Sequence, residues 1–276
     1  MAPSPPLSTS ASGPGAAQAT RLPAPLRILF VFANLLLGLL PSLAFFAWVE
    51  RNASLPWVGV QLNWPWIALQ SWPVAALAAW DCALFLAFGL LHSLTAQSRF
   101  QKILRAWVPI QVVRTIYLIL TGLSLLGVMG LWQNTGIVIW LLPLGTKAVN
   151  ALSLGLFWSL LAVSGLIMSR FDLLEFVGLK QLYSRAQTQR SEGVPHLQAT
   201  GIYAWVRHPI YTLTTLAFVL TPFLTLDRTL LIASMALYLT FAIPMEERKL
   251  MALFGQTYEE YRQKVGYGIL TPFLFT

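Results

Sequence analysis

Residues 207–226 read RHPIYTLTTLAFVLTPFLTL, a charged and aromatic start followed by an apolar run. Pro209 disfavours a helical conformation at His208 and is well tolerated as the first residue of a helix. The sequence therefore predicts a helix that begins at Pro209, with Arg207 and His208 at its mouth. Because ionisable side chains at the edge of lipid are costly, this placement indicates a functional site.

The composition of the whole chain is typical of a protein that sits in a lipid bilayer. Of its 276 residues, 57% are hydrophobic and 10% are charged, whereas a soluble domain carries about 25% charge. The net charge of +8 does not indicate a nucleic-acid partner, because the 18 basic residues cluster in the connections between apolar runs. The lone Cys82 excludes a disulfide within the chain and argues against a cysteine-based metal site.

Apolar runs of the right length to cross a bilayer recur along the chain. Spanning takes about 20 apolar residues in a helix, and six runs reach or approach that length. We therefore predict an all-α integral membrane protein with about six transmembrane helices. The run 137–144 is too short to span and is expected at the membrane interface. The predicted spans are 26–49, 73–91, 112–132, 148–168, 209–226 and 229–245.

The regions outside the spans have their own signatures. Residues 1–25, rich in Pro, Ser and Ala, are expected to form a disordered tail. After residue 245, apolar and aromatic positions recur at helical spacing, which predicts a C-terminal cytosolic amphipathic helix. The chain would then divide into the tail, the N-terminal transmembrane helices 26–145 and a C-terminal core 146–276. The recurring positions are Leu250, Phe254, Tyr258, Tyr261 and Val265.

The connections between the predicted spans differ in basic residues. Because cytoplasmic loops carry an excess of Lys and Arg, the richer connections are expected in the cytoplasm, together with both termini. The membrane would be a bacterial inner membrane, or the endoplasmic reticulum or nuclear envelope in a eukaryote. The odd-numbered connections hold only Arg51, Lys147 and Arg228.

Opposite charges meet across the hairpin of the last two predicted spans. The N-terminus of a helix presents free N–H groups and a partial positive charge, so with Arg207 and His208 it suits a small carboxylate. Glu246 and Glu247 end the last span on the same side. A ligand that needs both signs in one pocket is zwitterionic, and an amino acid head group fits. Tyr211, one turn on, is expected to point its hydroxyl to the same place. Neighbouring rings could cover a flat base or a cation, namely those of Tyr203, Trp205, Tyr258 and Tyr261.

A purely structural interpretation accounts for the same residues. Arg207 would be a positive-inside anchor and His208 a helix cap. The glutamate pair would be a surface partner for Arg248 and Lys249. Spacing alone does not choose between this interpretation and a ligand site.

The motifs of the C-terminal half resemble a known superfamily. The pattern Tyr203-x-x-x-Arg207-His208-Pro209-x-Tyr211, followed by Glu246-Glu247 and Phe254-Gly255-x-x-Tyr258-x-x-Tyr261, resembles the core of the isoprenylcysteine carboxyl methyltransferase superfamily of membrane enzymes. Upstream, Trp80-Asp81, His92-Ser93 and the segment 171–183 are similar to the branch that holds methanethiol S-methyltransferases, NnrU-type proteins and nurim. The resemblance covers residues 75–270.

This resemblance implies a methyltransferase of class EC 2.1.1 that binds S-adenosyl-L-methionine between the last two spans, within the core 146–276. Arg207, His208 and Glu246 would then be the catalytic candidates, with Glu246 receiving the cofactor's amino group. No metal is required by the reaction, and no ligand set for one is visible. The cofactor-binding candidates implied by the resemblance are His196, Leu197, Gln198, Tyr203, Arg207, His208, Pro209, Ile210, Tyr211, Glu246 and Glu247.

The methyl acceptor is indicated by one departure from the superfamily. Members that methylate a prenylcysteine carboxylate carry an arginine about one turn before the glutamate pair, where this chain has Ala242. A small hydrophobic thiol, such as methanethiol, does not require that arginine and is the leading hypothesis. The alternatives are a protein-S-isoprenylcysteine O-methyltransferase and a non-catalytic nurim-like envelope protein.

Two polar residues are further candidates for acceptor binding. His92 closes the second predicted span, and Gln181 follows the amphipathic segment. The alternative interpretations are an interfacial hydrogen-bonding histidine and a solvated glutamine. Asp81 lies within an apolar run and is expected to pair with Arg114 or His92.

Overall fold

The computed structural model describes residues 21–51, 66–67, 69, 71–141, 146–183, 197–221, 223–266 and 268–269. Within these ranges the protein is helical apart from one pair of short strands. The elements in chain order are α1 (Ala24–Ala33), a π-helical segment (Asn34–Leu39), α2 (Leu40–Arg51), α3 (Val74–Thr95), α4 (Ser98–Leu104), α5 (Ile110–Leu131), β1 (Val138–Leu141), α6 (Thr146–Met168), α7 (Leu173–Phe176), α8 (Leu179–Tyr183), a 3₁₀ turn (Gly201–Ala204), α9 (Pro209–Val219), β2 (Phe223–Thr225), α10 (Leu226–Phe254) and α11 (Gln256–Lys264).

Five helices in the described part of the chain are long and apolar enough to cross a membrane. They are the continuous run Ala24–Glu50, α3, α5, the stretch Ala151–Met168 of α6, and α10. The all-α membrane class predicted from the sequence is confirmed, and the first four predicted spans agree with these helices to within a few residues. Most of the predicted tail lies outside the described residues, and its last part is packed, with Leu22 buried against Val112 and Leu182.

The fifth predicted span, 209–226, is wrong at its C-terminal end. Helix α9 has 11 residues, which at 1.5 Å per residue gives about 16 Å, roughly half of the hydrocarbon thickness of a bilayer. Thr221 precedes a proline in the sequence, and a residue in that position is disfavoured in a helix. The chain therefore leaves the helix before Thr221 and starts α10 after β2.

A buried arginine satisfies the free carbonyl groups at the C-terminal end of α9. The last carbonyl groups of a helix lack partners within the helix. Arg228, which is 5% exposed, donates from Nε to the oxygen of Phe218 at 2.7 Å and from a terminal nitrogen to that of Ala217 at 3.2 Å. The neighbouring Asp227 accepts a hydrogen bond from the backbone of Thr135 at 3.0 Å. This pair of residues fixes the junction of α9, α10 and the loop after α5.

The short strands lie at that same junction. β1 pairs antiparallel with β2, with Val138 opposite Thr225 and Leu141 opposite Phe223. The run 137–144 was expected at the membrane interface, and its strand pairing was not predicted. Two adjacent loops satisfy their backbone groups by bonding to each other.

The sixth predicted span and the predicted amphipathic helix are divided differently from the expectation. Helix α10 runs for 29 residues to Phe254 and includes Pro244 in its interior. Gly255 has a φ of +56°, which a glycine adopts at little cost, and this turn separates α10 from α11. The predicted amphipathic region therefore consists of the last turns of α10 together with α11.

The central core of the bundle is aromatic. Phe157 of α6 and Phe218 of α9 stack with their ring centroids 6.3 Å apart. Trp48 of α2 meets Trp132, which follows α5, edge to face at 5.6 Å. Because aromatic side chains bury large areas and pack in defined geometries, these contacts hold α9 in place despite its short length.

Asp81 joins α3 to the end of α5. Its carboxylate accepts a hydrogen bond from the backbone N–H of Gln133 at 2.9 Å, and the neighbouring Trp80 donates its indole N–H to the oxygen of Leu131 at 2.9 Å. The prediction that Asp81 pairs with Arg114 or His92 is wrong. The end of a helix offers unsatisfied backbone groups to any nearby polar side chain, and the sequence pattern did not show that this end lies beside Asp81.

Close backbone contact between α5 and the π-helical segment depends on glycine. A Cβ atom on Gly122 would collide with the carbonyl oxygen of Leu37, whereas a Cβ on Gly127 of the same helix would have no heavy atom within 4 Å. We expect Gly122→Ala to lower the free energy of unfolding by about 1–3 kcal/mol, because overpacking forces the helices apart. Gly127→Ala is the matched control and should be neutral or slightly stabilising, since alanine is the better helix former.

Thermal unfolding of the purified variants in detergent measures this difference. A lower midpoint for Gly122→Ala, with no loss for Gly127→Ala, is the expected result. Equal midpoints for the two variants would show that the helices do not approach as closely as described.

Candidate active site

The site is built around the first turn of α9. Pro209 begins the helix as predicted, and the preceding His208 donates its backbone N–H to the oxygen of Gly268 at 2.9 Å. The imidazole of His208 is buried and stacks on the ring of Tyr211, with the ring centroids 5.6 Å apart. The start of α9 is thus held from one side by the C-terminal segment and from the other by its own tyrosine.

An ion pair fixes α9 against α10. Arg207 donates from Nε to Oε1 of Glu247 at 2.7 Å, and Nε2 of His208 lies 3.2 Å from the same oxygen. Arg207 also donates from a terminal nitrogen to the carbonyl oxygen of Val265 at 2.6 Å. The side chains of Arg207 and Glu247 are each 13% exposed, so the pair is largely shielded from water. Three segments of the chain therefore meet at this one pair.

The neighbouring Glu246 has a different environment. Tyr211 donates its hydroxyl to Oε2 of Glu246 at 2.8 Å, and Nδ1 of His208 lies 3.7 Å from that oxygen. The side chain of Glu246 is 43% exposed. Glu247 is thus engaged within the protein, whereas Glu246 presents its carboxylate to open space.

That open space is a cavity of about 770 Å³, referred to below as the first cavity. Both signs of charge meet in its wall, since Arg207, His208 and Glu246 all line it. Of the predicted site residues, those that line it are Leu197, Gln198, Tyr203, Arg207, His208 and Glu246.

The remaining predicted site residues are placed differently. Pro209 is buried beneath the mouth of α9, and Ile210 lines a second cavity. Tyr211 and Glu247 contact lining residues through the bonds given above, and His196 falls outside the described residues.

Two tyrosines of α11 close the first cavity. Tyr261 donates its hydroxyl to the carbonyl oxygen of Tyr203 at 2.7 Å. Burial raises the pKa of Tyr261 to about 12, so the phenol keeps its proton and remains a donor. Tyr258 is almost fully buried and also lines the cavity. Trp205 is 77% exposed, so it does not provide the aromatic cover that was considered for it.

The second cavity, of about 660 Å³, adjoins the first. Four residues belong to both linings, namely Phe171, Glu175, Tyr203 and Glu246. Gln181, a predicted acceptor-binding residue, lines the second cavity together with Arg114. Sequence reasoning considered Arg114 as a partner for Asp81 and did not place it in a site.

His92, the other predicted acceptor-binding residue, lies among helices α3, α5 and α10. Its Nδ1 is 3.2 Å from the hydroxyl of Thr121, and its Nε2 is 3.2 Å from that of Tyr117. The next residue, Ser93, lies 3.0 Å from the hydroxyl of Tyr238. These polar groups satisfy one another between helices, and His92 lines neither of the two cavities.

A bundle of membrane-crossing helices with a bipolar cavity at one end of its last two helices is the arrangement that the motifs led us to expect for an integral membrane methyltransferase. The chain is 31% identical to a methanethiol S-methyltransferase of Crocosphaera subtropica over 196 residues, which cover 70% of this chain and 74% of the relative. It is 32% identical to a methanethiol S-methyltransferase of Mycobacterium tuberculosis, with 67% and 75% covered. The chain belongs to the methanethiol S-methyltransferase family.

The similarity to nurim covers a smaller share of the chain. The chain is 32% identical to nurim of Xenopus laevis over 178 residues, which cover 58% of each protein. No protein-family model and no solved structure matches the chain. The comparisons confirm the branch that the motifs indicated and make the chain a methyltransferase, an enzyme that requires a methyl donor.

The ion pair of Arg207 and Glu247 gives a test of the geometry. A double-variant cycle with Arg207→Gln and Glu247→Gln should show a coupling free energy of about 0.5–3 kcal/mol, because removing either partner leaves the other charge shielded and unpaired. The exposed pair of Arg262 and Glu259 on α11 is the matched control, with an expected coupling of about 0.3–0.5 kcal/mol. Unfolding midpoints in detergent supply the four values of each cycle. Equal coupling in the two pairs would contradict the shielded position of the first.

Proposed function

We propose that this membrane enzyme transfers a methyl group from S-adenosyl-L-methionine to the sulfur of a small hydrophobic thiol such as methanethiol. The observation that carries the proposal is the constellation at the mouth of α9, where His208 and Glu246 line one cavity and are held by Arg207, Glu247 and Tyr211. The similarity to methanethiol S-methyltransferases supports the reaction and the acceptor.

The residues of the first cavity fit this cofactor. S-adenosyl-L-methionine carries a carboxylate, an ammonium group, a sulfonium and a flat base. The carboxylate of Glu246 suits the ammonium group, and the start of α9 beside His208 suits the carboxylate. The rings of Tyr203 and Tyr258 suit the base or the sulfonium. A volume of about 770 Å³ lies within the range of cofactor sites.

The site residues divide into two roles. Glu246, His208 and the segment Leu197–Gln198 line the first cavity and would contact the cofactor, with His196 beside that segment in sequence. Arg207 is a positioning residue, because two of its nitrogens are engaged by Glu247 and Val265.

The cofactor supplies an electrophilic methyl group. The protein holds donor and acceptor in line and excludes water, which are the two contributions such a displacement needs. A hydrophobic acceptor enters from lipid, while the charged cofactor enters from the cytoplasm. This division of routes fits a topology with both termini in the cytoplasm.

Cofactor affinity tests the roles of the charged residues. Glu246→Gln and His208→Ala should each weaken binding of S-adenosyl-L-methionine about 10- to 100-fold, because a charge-assisted hydrogen bond is lost. Glu260→Gln removes an exposed acid of α11 and is the matched control, with no expected change. Titration calorimetry of the protein in detergent measures the three affinities. Wild-type affinity in both site variants would show that the cofactor does not bind there.

The acceptor is tested separately with the wild-type enzyme. Incubation with S-adenosyl-L-methionine and methanethiol should yield dimethyl sulfide, measured in the headspace by gas chromatography. A prenylcysteine offered as acceptor should remain unmethylated, because Ala242 provides no cation for its carboxylate. Methylation of the prenylcysteine alone would reverse the assignment of the acceptor.

A further inference from the structure

The second cavity presents both signs of charge, as the first does, but takes its positive charge from different residues. It lies between the start of α5, the segment from Phe171 to α8, and the start of α9. Arg105 and Arg114 bring positive charge to its wall, and Asp172, Glu175 and Glu246 bring negative charge. Neither arginine has been assigned a role by the motifs or by the proposed function.

Arg114 is held in a fixed orientation. Its Nε donates to the carbonyl oxygen of Phe176 at 3.0 Å. Its guanidinium lies over the rings of Tyr117 at 4.8 Å and Phe176 at 5.2 Å, measured to the centroids. The backbone at Gly178 also lies close to this side chain, since a Cβ on Gly178 would be 3.0 Å from Cγ of Arg114. Cation–π contacts and a short hydrogen bond thus immobilise the cation beside the cavity.

The acids near Arg114 are bound by different partners. Asp172 is bound by Lys180 at 2.8 Å, and the same ammonium group lies 3.7 Å from Glu175. Glu246 is bound by Tyr211 at the junction of the two cavities. Further ionisable groups near Arg114 are Tyr117, which lies under its guanidinium, His92, which contacts Tyr117, and Arg105 in the same cavity wall. Lys180 thus offsets one of the two negative charges of the segment after α6, and Glu175 also lies within electrostatic reach of Arg114.

A fixed cation beside the acceptor favours methyl transfer to a thiol for chemical reasons. The thiolate, not the thiol, is the nucleophile, and a neighbouring arginine lowers the pKa of a thiol by favouring its charged form. An alkane thiol is a weak acid and is mostly protonated near neutral pH. In a cavity at the edge of lipid, the thiolate would be still less favoured without a fixed positive charge.

We propose that the second cavity is the acceptor site and that Arg114 stabilises the thiolate form of the acceptor there. This inference rests on the proposed function. The acceptor S–H proton passes to water in the cavity, and the thiolate is held by the guanidinium. A bond then forms between the acceptor sulfur and the methyl carbon as the bond from that carbon to the sulfonium breaks, with its electron pair remaining on the cofactor's sulfur. The neutral thioether product has no charge for Arg114 to hold.

The residues that line both cavities support this assignment. Tyr203 and Glu246 line both cavities, so a ligand in one cavity can meet a ligand in the other without crossing a helix. Ile210 of α9 lines the second cavity and His208 the first. At the start of α9, His208 therefore faces the proposed cofactor site and Ile210 faces the proposed acceptor site.

Two acceptors of different acidity distinguish charge stabilisation from a structural role. Methanethiol must be deprotonated on the enzyme, whereas trifluoroethanethiol is the stronger acid and is more readily ionised before it binds. Arg114→Gln should lower kcat/KM for methanethiol roughly 100-fold, the size seen when a fixed stabiliser of an anion is removed. The loss for trifluoroethanethiol should be less than about tenfold, since its thiolate needs less help. The affinity for S-adenosyl-L-methionine, measured by calorimetry, should be unchanged.

Two further variants complete the test. Arg114→Lys keeps a cation and should keep the ratio of the two thiol rates near that of the wild type, even where the Gln variant folds poorly. Lys102→Gln removes an equal charge from the exposed face of α4 and should alter neither rate. In Arg114→Gln, the methanethiol rate should also recover as the pH is raised, because solvent then supplies the thiolate.

The outcomes separate this inference from the proposed function. Equal losses for the two thiols in Arg114→Gln, with no recovery at high pH, would overturn the role of Arg114 and leave the proposed function intact. The role of Arg114 would also be overturned if the ratio of the two thiol rates changed as much in Arg114→Lys as in Arg114→Gln. A wild-type protein that binds no S-adenosyl-L-methionine would instead refute the proposed function.

Discussion

The shielded ion pair of Arg207 and Glu247 is the constraint on which the site depends. It joins the mouth of α9 to the end of α10, and through the carbonyl of Val265 it also holds the segment after α11. Successive residues of a helix point about 100° apart, since one turn takes 3.6 residues. Fixing Glu247 toward Arg207 therefore turns Glu246 toward Tyr211 and the cavities. One pair of charges thus decides which acid is structural and which faces a ligand.

In the proposed function, the two cavities receive ligands of different solubility. A charged cofactor and an apolar acceptor do not share a solvent, yet their reacting atoms must come within bonding distance. The first cavity offers both signs of charge, and the second joins the α5 end of the bundle to the same junction. In-line displacement requires that the two ligands approach from opposite directions, which two adjoining cavities with a common wall allow.

Some features were predictable because they depend on local chemistry. Pro209 marks the start of α9, and the first four spans follow from the length of apolar runs. The meeting of His208 with the glutamate pair follows from a hairpin with both ends on one side. Other features depend on tertiary contacts. Pro244 stays inside α10, and Asp81 bonds to a helix end whose position no local pattern gives. The early end of α9 had a local signal, the proline after Thr221, which the predicted span 209–226 did not take into account.

The candidate site shows the same division between local and tertiary information. The cofactor-side residues lie in compact motifs, so spacing and resemblance identified them. Arg114 is distant in sequence from every motif, and its meaning comes from Phe176 and Gly178 folding back beside it. A basic residue at the end of a span has the same appearance in sequence whether it faces lipid head groups or a cavity.

The cap that Arg228 places on α9 has a consequence for where the charge of this residue acts. The positive-inside rule counts each arginine as a residue that favours the cytoplasmic side. Arg228 lies in an odd-numbered connection, where basic residues are few. Its guanidinium is 5% exposed and is engaged by Phe218 and Ala217, so in the folded protein it has no hold on phospholipid. The charge of Arg228 thus serves the end of α9 in the folded protein and is not available at the membrane surface.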